Sequence, residues 1–180
     1  MSSDVVLLTR GLRSEDEFFV LDDLYQRSFG ISSVPTITQK EWWFHYPEGI
    51  IGLFLNERLI GGISYWPIDQ ETFIALRDGR LKERDIEARN FNAELPEYIY
   101  ISDIAIEPEF RGRHYTDLLL GKFFISIKNN LVADRPLTIC ALGYSVAGKK
   151  ILTSYGFSKV KDAENTSDKQ DFYIFLASRN

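Results

Sequence analysis

The sequence predicts an α/β fold in a single domain spanning residues 1–180, and two neighbouring stretches carry that prediction. The run from Tyr98 to Ile106 is almost unbroken in apolar and β-branched residues, as in a strand that is buried on both faces. After Pro108, the residues Leu119, Phe123 and Ile127 recur at helical spacing. A buried strand followed at once by an amphipathic helix is typical of an α/β protein.

The composition fits one folded domain and excludes several classes of protein. With 44% hydrophobic residues among 180, the chain can bury a sizeable core. A net charge of −5 argues against bulk attraction to nucleic acid or to an anionic membrane. Cys140 is the only cysteine and there are two histidines, which predicts neither a disulfide framework nor a metal site. No apolar run reaches membrane-spanning length, so we expect a cytoplasmic protein with no membrane partner.

The first half of the chain predicts a strand, two helices and a hairpin. Ser14 with Glu17 forms a capping-box pattern before the first helix, and Thr38 with Glu41 repeats it before the second. Pro47 ends that second helix. The predicted elements are a strand at 5–9, a helix that begins after residue 14, an aromatic helix at 42–46, and strands at 50–55 and 59–66 joined by a turn at 56–58.

The second half predicts two more strands around one helix. The apolar strand spans 137–142, and the helix spans 145–155, with Gly156 placed to end it. A polar turn at 162–171 leads into the last strand at 172–176.

The segment 67–97, between the hairpin and the central strand, is long for a loop in a compact domain. Its mixed charges are neither low-complexity nor linker-like, and one or two short helices are predicted around Asp78-Gly79. Ordered loops of this length are usually functional or form an interface. We interpret it as an insertion with a functional or interface role.

Arg111, Gly112 and Arg113 lie between the end of the central strand and the start of the following helix. The first N–H groups of a helix have no internal partners, and the helix dipole adds partial positive charge there. Two arginines beside such a helix start predict a site for a phosphate or pyrophosphate.

This junction resembles the GNAT superfamily of acetyl-CoA-dependent N-acetyltransferases. Their motif, Gln/Arg-x-x-Gly-x-Gly/Ala, corresponds to residues 111–116, where His114 and Thr116 replace the two later small residues. Asp103 to Phe110 is similar to the strand end of that family, and Gly156-Phe157 to its helix closure. The resemblance implies a mixed, mostly antiparallel sheet of six or seven strands with helices on both faces.

The resemblance also implies a set of site residues. Acetyl-CoA would lay its pantetheine arm along the end of the central strand and rest its pyrophosphate on the turn that follows. The implied coenzyme-binding residues are Ile104, Ala105, Ile106, Arg111, Gly112, Arg113, His114, Tyr115, Thr116 and Ser145. The acceptor would be a small-molecule or peptide amine, with no metal and no nucleic acid involved, and a homodimer stays open.

Asp103 is the candidate catalytic residue. A carboxylate in a buried strand is costly unless it is protonated, hydrogen-bonded or facing a cleft. The resemblance implies that Asp103 accepts the proton of the amine, and a purely structural carboxylate is the alternative. The general acid is unassigned, since Leu152 stands where the family often has tyrosine, while Tyr155 fits core packing and Tyr144 has no fixed direction.

Other functions have weaker support. Residues 143–149 match G-x-x-x-x-G-K, but Lys150 follows where a P-loop requires Ser or Thr, so nucleotide hydrolysis is not expected. The pairs Trp42/Trp43 and Tyr98/Tyr100 could stack nucleic-acid bases, but no basic face accompanies them. Two alternatives stay open, namely a non-catalytic acyl-CoA-binding sensor and transfer of a longer acyl chain.

Overall fold

The computed structural model describes residues 6–30, 34–94, 96–130, 136–162 and 170–177. Within them the chain forms seven strands and five α-helices. In chain order these are β1 (Leu7–Gly11), α1 (Glu15–Phe29), α2 (Thr36–His45), β2 (Ile50–Leu55), β3 (Arg58–Ile68), α3 (Gln70–Arg77), β4 (Tyr98–Ile106), α4 (Tyr115–Asn130), β5 (Leu137–Gly143), α5 (Val146–Ser154), β6 (Ser158–Lys161) and β7 (Asp171–Ala177).

The described strands form one sheet in the order β1-β2-β3-β4-β5-β7-β6. Strand β2 is antiparallel to both β1 and β3, and β7 is antiparallel to both β5 and β6. The pair β4–β5 is parallel. The prediction of an α/β fold with a mixed, mostly antiparallel sheet of six or seven strands is therefore confirmed.

The chain folds into two compact units, and β3 and β4 each contribute residues to both. Unit 1 contains Met1–Ser64 and Asp103–Asn130, and unit 2 contains Tyr65–Ser102 and Leu131–Asn180. Each unit has its own fully buried aromatic residues, which are Phe18, Tyr25, Trp42, Phe54 and Phe123 in unit 1, and Tyr65, Trp66, Tyr100 and Phe172 in unit 2. Burying side chains of this size stabilises a unit by roughly 1.5–3 kcal/mol each.

Local sequence patterns predicted several of these elements well. The Ser14 side chain accepts a hydrogen bond from the Glu17 N–H at 3.3 Å and so begins α1. Asn56 and Glu57 have φ values of 48° and 65°, as a tight hairpin between β2 and β3 requires. Gly156, with φ 86°, follows the end of α5.

Two expectations need correction, and one strand was not predicted. The Thr38–Glu41 capping pattern is wrong, because the N-cap of α2 is Pro35, three residues before Thr38, and no side chain caps the helix. Strand β1 spans Leu7–Gly11 rather than 5–9, and Val5 lies outside the described residues. Strand β6 was not predicted, since its sequence SKVK is mostly polar and it pairs through its backbone with β7.

The described residues of the 67–97 segment, 67–94 and 96–97, belong to unit 2. An antiparallel bridge joins Ile68 to Phe91, and the Asp69 side chain caps α3 by accepting from the Thr72 N–H at 2.7 Å. Phe73 stacks on Tyr98 with ring centroids 4.4 Å apart. The predicted short helix before Asp78-Gly79 is therefore present, and the segment contributes apolar residues to the core of its unit.

Among the described residues, no helix is both long and apolar enough to cross a membrane.

Candidate active site

The turn between β4 and α4, in unit 1, is built by backbone conformation. After β4 ends at Ile106, a single 3-10 turn at Pro108–Phe110 leads into Gly112, whose φ is 77°. His114 has φ 60°, and α4 begins at the next residue. Two left-handed residues in three turn the backbone sharply before the helix begins.

This turn leaves a row of backbone donors without internal partners. The Asp117 N–H donates to the His114 carbonyl at 3.1 Å, which closes the first turn of α4. Within the described part of the chain, the N–H groups of residues 112–116 have no hydrogen-bond partner. Successive free N–H groups at a helix start form an anion-binding concavity, so the backbone alone can hold a phosphate or pyrophosphate.

The two arginines of the turn have different local roles. The Arg111 Nε donates to the Ile106 carbonyl at 2.9 Å, so this side chain ties the turn back to the end of β4. The Arg113 guanidinium lies 5.6 Å from the centroid of the Phe110 ring, within cation–π range. Arg111 therefore stabilises the turn in addition to bringing positive charge to it.

His114 occupies a backbone conformation that glycine adopts more easily. A left-handed conformation costs an L residue roughly 1–2 kcal/mol. The His114 ring is 89% exposed, and its Nδ1 lies 2.9 Å from Asp117 Oδ2. This contact holds the imidazole at the surface. The backbone N–H of His114, rather than its side chain, is therefore what belongs to the row of donors in the turn.

The direction of the β4 backbone changes along the strand. In a regular strand, residues of the same parity direct their N–H and C=O groups to the same side. Glu97 accepts at 2.9 Å from the N–H of Thr138, next to β5, but Glu107 donates at 2.9 Å to the carbonyl of Ile60 in β3. The register with β5 ends at Ile101, so β4 contains an irregularity beyond that residue.

Asp103 is buried in unit 1, in the second half of β4, with 5% exposure. It belongs to a polar cluster with Tyr25 and Ser64, in which the Ser64 hydroxyl donates to Tyr25 Oη at 3.0 Å. Burial raises the pKa of Tyr25 well above its usual value, and the nearby charges of Asp103 and Asp22 raise it further. The Tyr25 hydroxyl therefore stays protonated at neutral pH.

Asp22 joins α1 to α2 inside the same unit. It is 5% exposed, and its Oδ2 accepts from the Thr36 hydroxyl at 2.6 Å. Its Oδ1 lies 3.4 Å from Gln26 Nε2, which also donates to the Val34 carbonyl at 2.9 Å. Within the described residues, the groups that donate to Asp22 are neutral, so hydrogen bonds rather than an opposite charge stabilise this side chain there.

Arg27 connects α1 to the start of the turn. Its guanidinium lies 2.7 Å from Asp23 and 3.0 Å from Glu107, the first residue after β4. These carboxylates raise the pKa of Arg27 above its already high usual value. The pairs are partly exposed, so their role is to orient the turn more than to stabilise the fold.

The remaining candidates lie in unit 2. The Ser145 side chain accepts from the Gly148 N–H at 2.9 Å and so caps α5. Tyr144 is 48% exposed, and Leu152 and Tyr155 are half-buried. The Lys149 Nζ lies 2.6 Å from Asp171 Oδ2. The lysine of the G-x-x-x-x-G-K match is therefore paired with a carboxylate.

The structure therefore brings together in unit 1 most of the residues selected from sequence, from Asp103 through Thr116. Sequence reasoning missed Tyr25 and Asp22, which lie three residues apart on one face of α1. The signal available in the sequence was that Asp22 stands at helical spacing from the apolar residues of α1, which indicates that its side chain is buried. No group of three or more metal-binding side chains occurs within the described residues.

The fold is that of the GNAT acetyltransferases. The model of the acetyltransferase (GNAT) family matches residues 18–124, more than half of the 180. The chain belongs to the GNAT acetyltransferase family. Among curated proteins, none matches this sequence.

Solved structures share the fold at low sequence identity. The loading GNATL domain of CurA from Lyngbya majuscula has a TM-score of 0.69 at 15% identity, covering 94% of this chain and 97% of that chain. Ard1 from Thermoplasma volcanium has a TM-score of 0.65 at 11% identity, covering 95% and 96%. Arabidopsis thaliana Naa50, in complex with the bisubstrate analogue CoA-Ac-MVNAL, has a TM-score of 0.61 at 12% identity, covering 96% and 99%.

Proposed function

We propose that this protein transfers an acetyl group from acetyl-CoA to a primary amine. The observation that carries the proposal is the row of unpaired backbone N–H groups at residues 112–116, at the start of α4. Because these donors belong to the backbone, His114 and Thr116 keep them although both replace smaller residues of the family motif. The family and CoA-bound structures such as that of Naa50 support the same reading.

The coenzyme would be held by residues of unit 1 along β4 and the turn. The pyrophosphate would accept hydrogen bonds from residues 112–116, with Arg111 and Arg113 adding charge. We place the pantetheine arm along Ile104, Ala105 and Ile106, beyond the point where the β5 register ends. Ser145, which lies in unit 2, stays a prediction from sequence as a coenzyme-binding residue.

Asp103 would act as the base. The protonated amine must lose a proton before its nitrogen attacks the thioester carbonyl, and a buried carboxylate can accept that proton directly or through water. The C–N bond then forms, the C–S bond breaks and the thiolate of CoA leaves, while the nitrogen loses its second proton to that thiolate or to solvent. Tyr25 keeps its proton at neutral pH, which suits a hydrogen-bond donor beside the base.

Coenzyme binding and turnover can be measured separately. Thermal shift with acetyl-CoA and with CoA tests the binding site, and release of free thiol with a panel of small amines and short peptides tests the reaction. Stabilisation by acetyl-CoA together with amine-dependent thiol release is the expected result. Absence of any coenzyme-dependent shift would contradict the assignment of the turn.

Asp103→Asn tests the base. We expect turnover to fall by about 100-fold or more, because acid–base help typically contributes 10²–10⁴-fold, while CoA affinity is kept. Melting temperature, CoA affinity and turnover should be measured on both proteins, over a range of pH. A destabilised variant with normal turnover per folded molecule would remove Asp103 from the mechanism and leave water as the base.

A non-catalytic acyl-CoA sensor is the second candidate. Three residues favour it: Leu152 stands where the family often has its general acid, and His114 and Thr116 bring bulk to the turn. This candidate predicts acetyl-CoA binding without thiol release in any amine of the panel. Since the CoA thiol is acidic enough to leave with solvent assistance, we place transfer first.

A further inference from the structure

A carboxylate stands at the base of the turn that we assign to an anion. Glu107 is the first residue after β4, and its side chain is 17% exposed. A negative charge near a phosphate site opposes binding, because like charges repel and salt screens them mainly beyond about 8 Å. Charge alone therefore gives no reason for a carboxylate at this position.

The contacts of Glu107 join three parts of unit 1. Its N–H donates to the Ile60 carbonyl in β3 at 2.9 Å, and its own carbonyl accepts from the Phe110 N–H at 2.9 Å. Its carboxylate meets the Arg27 guanidinium with both oxygens, Oε1 at 3.0 Å from Nη2 and Oε2 at 3.5 Å from Nη1. Glu107 is therefore tied to β3, to the turn itself and to α1.

Arg27 is held within α1 as well. Its Nε donates to Asp23 Oδ2 at 2.7 Å, one helical turn earlier. A guanidinium is planar and rigid, so an engaged Nε leaves Nη1 and Nη2 pointing in a defined direction. The helix is anchored by buried residues that include Leu21 and Leu24. The position of the Glu107 carboxylate is thus set by a helix that packs in the core of the unit.

The path of the chain out of β4 decides where the row of N–H donors at 112–116 points. Between Glu107 and this row lie a single 3-10 turn and Arg111, whose Nε donates to the Ile106 carbonyl at 2.9 Å. The row begins at Gly112 in a left-handed conformation. A shift at Glu107 therefore moves the donors together, and a binding site is effective only when its donors are held in place beforehand.

We propose that Glu107 is a positioning residue of the coenzyme site, held by Arg27 so that the donors at 112–116 face the pyrophosphate. The inference rests on the proposed function and deepens it, because it adds a residue that acts on the coenzyme without touching it. It also commits to a sign that charge alone does not give. Removing this negative charge should weaken the binding of CoA, which is itself negative, because the loss of geometry outweighs the loss of repulsion.

Glu107→Ala keeps both backbone bonds of the residue and removes its contact with Arg27. Calorimetry with CoA should show an affinity lower by about fivefold, as expected for one well-oriented and partly exposed ion pair. Repulsion alone predicts the opposite change. An affinity for CoA that is equal or higher in this variant overturns the proposal.

Glu109→Ala is the matched control. Glu109 lies two residues further in the same 3-10 turn and is also paired with an arginine, Arg58, at 2.7 Å. Both partners of this pair are more than half exposed, so it orders the chain less. The same charge is removed, and CoA affinity should stay equal or rise slightly. A loss equal to that of Glu107→Ala would mean that any change in the turn lowers affinity, which overturns the role of Glu107.

Arg27→Lys separates charge from shape. Lysine keeps the positive charge but lacks the fork that meets Glu107 with two nitrogens while the third holds Asp23. CoA affinity should fall in this variant as well, and it decides the question if Glu107→Ala does not fold. Wild-type affinity in Arg27→Lys overturns the proposal.

A double variant tests whether the two residues act as one unit. Arg27→Ala together with Glu107→Ala should lose no more CoA affinity than the weaker-binding of the two single variants, because residues in direct contact are not additive. Losses that simply add in the double variant overturn the proposal.

Steady-state kinetics distinguish positioning of the coenzyme from chemistry and from general stability. The pyrophosphate is remote from the reacting atoms, so Glu107→Ala should raise KM for acetyl-CoA and keep kcat. The melting temperature without CoA should change little, since the pair is partly exposed. A lower kcat at unchanged KM, or a lower melting temperature with normal CoA affinity in the folded protein, overturns the proposal.

The failures of the inference and of the proposed function are distinguishable. If Glu107→Ala binds CoA like the unmodified protein, and that protein releases thiol with an amine, the positioning role is refuted and the transferase is kept. If Glu107→Ala weakens CoA binding but no amine of the panel gives thiol release, the positioning role is kept and the transferase is refuted. If the unmodified protein does not bind CoA, both are refuted.

Discussion

Two strand-to-helix junctions of this protein look alike in sequence but differ in chemistry. The junction after β4, in unit 1, contains Arg111-Gly112-Arg113, and the junction after β5, in unit 2, contains the G-x-x-x-x-G-K match at residues 143–149. In the first, the N–H groups of residues 112–116 have no partner in the described part of the chain. In the second, the N–H groups of residues 145–147 also have no partner there, but the Ser145 hydroxyl accepts from the Gly148 N–H and Lys149 is paired with Asp171.

The glycines of the two junctions also serve different purposes. Gly112 has φ 77°, and a Cβ added there would meet nothing within 4 Å, so its role is conformational. At Gly143 an added Cβ would lie 2.7 Å from the ring of Tyr173, so this glycine allows close packing. Unpaired N–H groups occur at both helix starts, so the junctions differ in two other ways. The first has a left-handed turn at Gly112 and His114, and no described carboxylate pairs with its arginines, whereas the lysine of the second is paired with Asp171.

The largest effect should follow from removing charge at the first junction. Arg111→Ala with Arg113→Ala is expected to weaken CoA binding by about 3 kcal/mol or more, because each charge-assisted hydrogen bond contributes roughly 1.5–3 kcal/mol. Calorimetric titration with CoA measures this change. Lys149→Ala is the matched control in the second junction, where the charge is held by Asp171 and CoA affinity should change little. If Lys149→Ala lowers CoA affinity as much as the double arginine variant does, the two junctions do not differ in coenzyme binding.

A smaller effect is expected from the cap of the second junction. Ser145→Ala should lower the free energy of unfolding by about 1 kcal/mol, since it removes a helix N-cap. CoA affinity should change less than twofold, because the hydroxyl is already engaged by Gly148 and only the backbone of Ser145 would contact the coenzyme. Denaturant unfolding and CoA titration on the same preparations measure both quantities. A large loss of CoA affinity would show that the hydroxyl itself contacts the coenzyme.

The smallest effect concerns the strained residue of the first junction. His114→Gly removes the cost of about 1–2 kcal/mol that a left-handed conformation imposes on a non-glycine residue. Glycine also loses more conformational entropy on folding, which offsets roughly 0.5–1 kcal/mol of that gain in stability. We expect a net gain of a few tenths to about 1 kcal/mol in stability, with CoA affinity equal or improved. Thermal unfolding with and without CoA measures both. A loss of stability would mean that the contact of His114 with Asp117 outweighs the strain.

Most of the fold was predictable because its signals are local. Apolar runs located the strands, and the caps at Ser14 and the turn at Asn56-Glu57 depend on residues within three positions of each other. The turn at Arg111–Thr116 was located in the same way. Strand β6 carries no such signal, since its side chains are mostly exposed and only its pairing with β7 defines it.

The start of α2 and the polar cluster of unit 1 depended on distant residues. Thr36 bonds to Asp22, fourteen positions away, and the helix begins there although Thr38 has the better capping pattern. Tyr25 and Ser64 are thirty-nine positions apart. Whether a polar side chain is buried, and what it meets, is decided by the element that packs across it.

The sequence by itself determined the described strands other than β6, the Ser14 cap of α1 and the turn between β4 and α4, because backbone propensity and hydrogen bonds between near neighbours specify them. Tertiary structure alone decided that Asp22, Tyr25 and Asp103 share one buried cluster, and that the amide of Gln39 is buried in the same unit. The physical reason is that desolvation and charge coupling depend on distances between elements, and those distances arise only when the chain has packed.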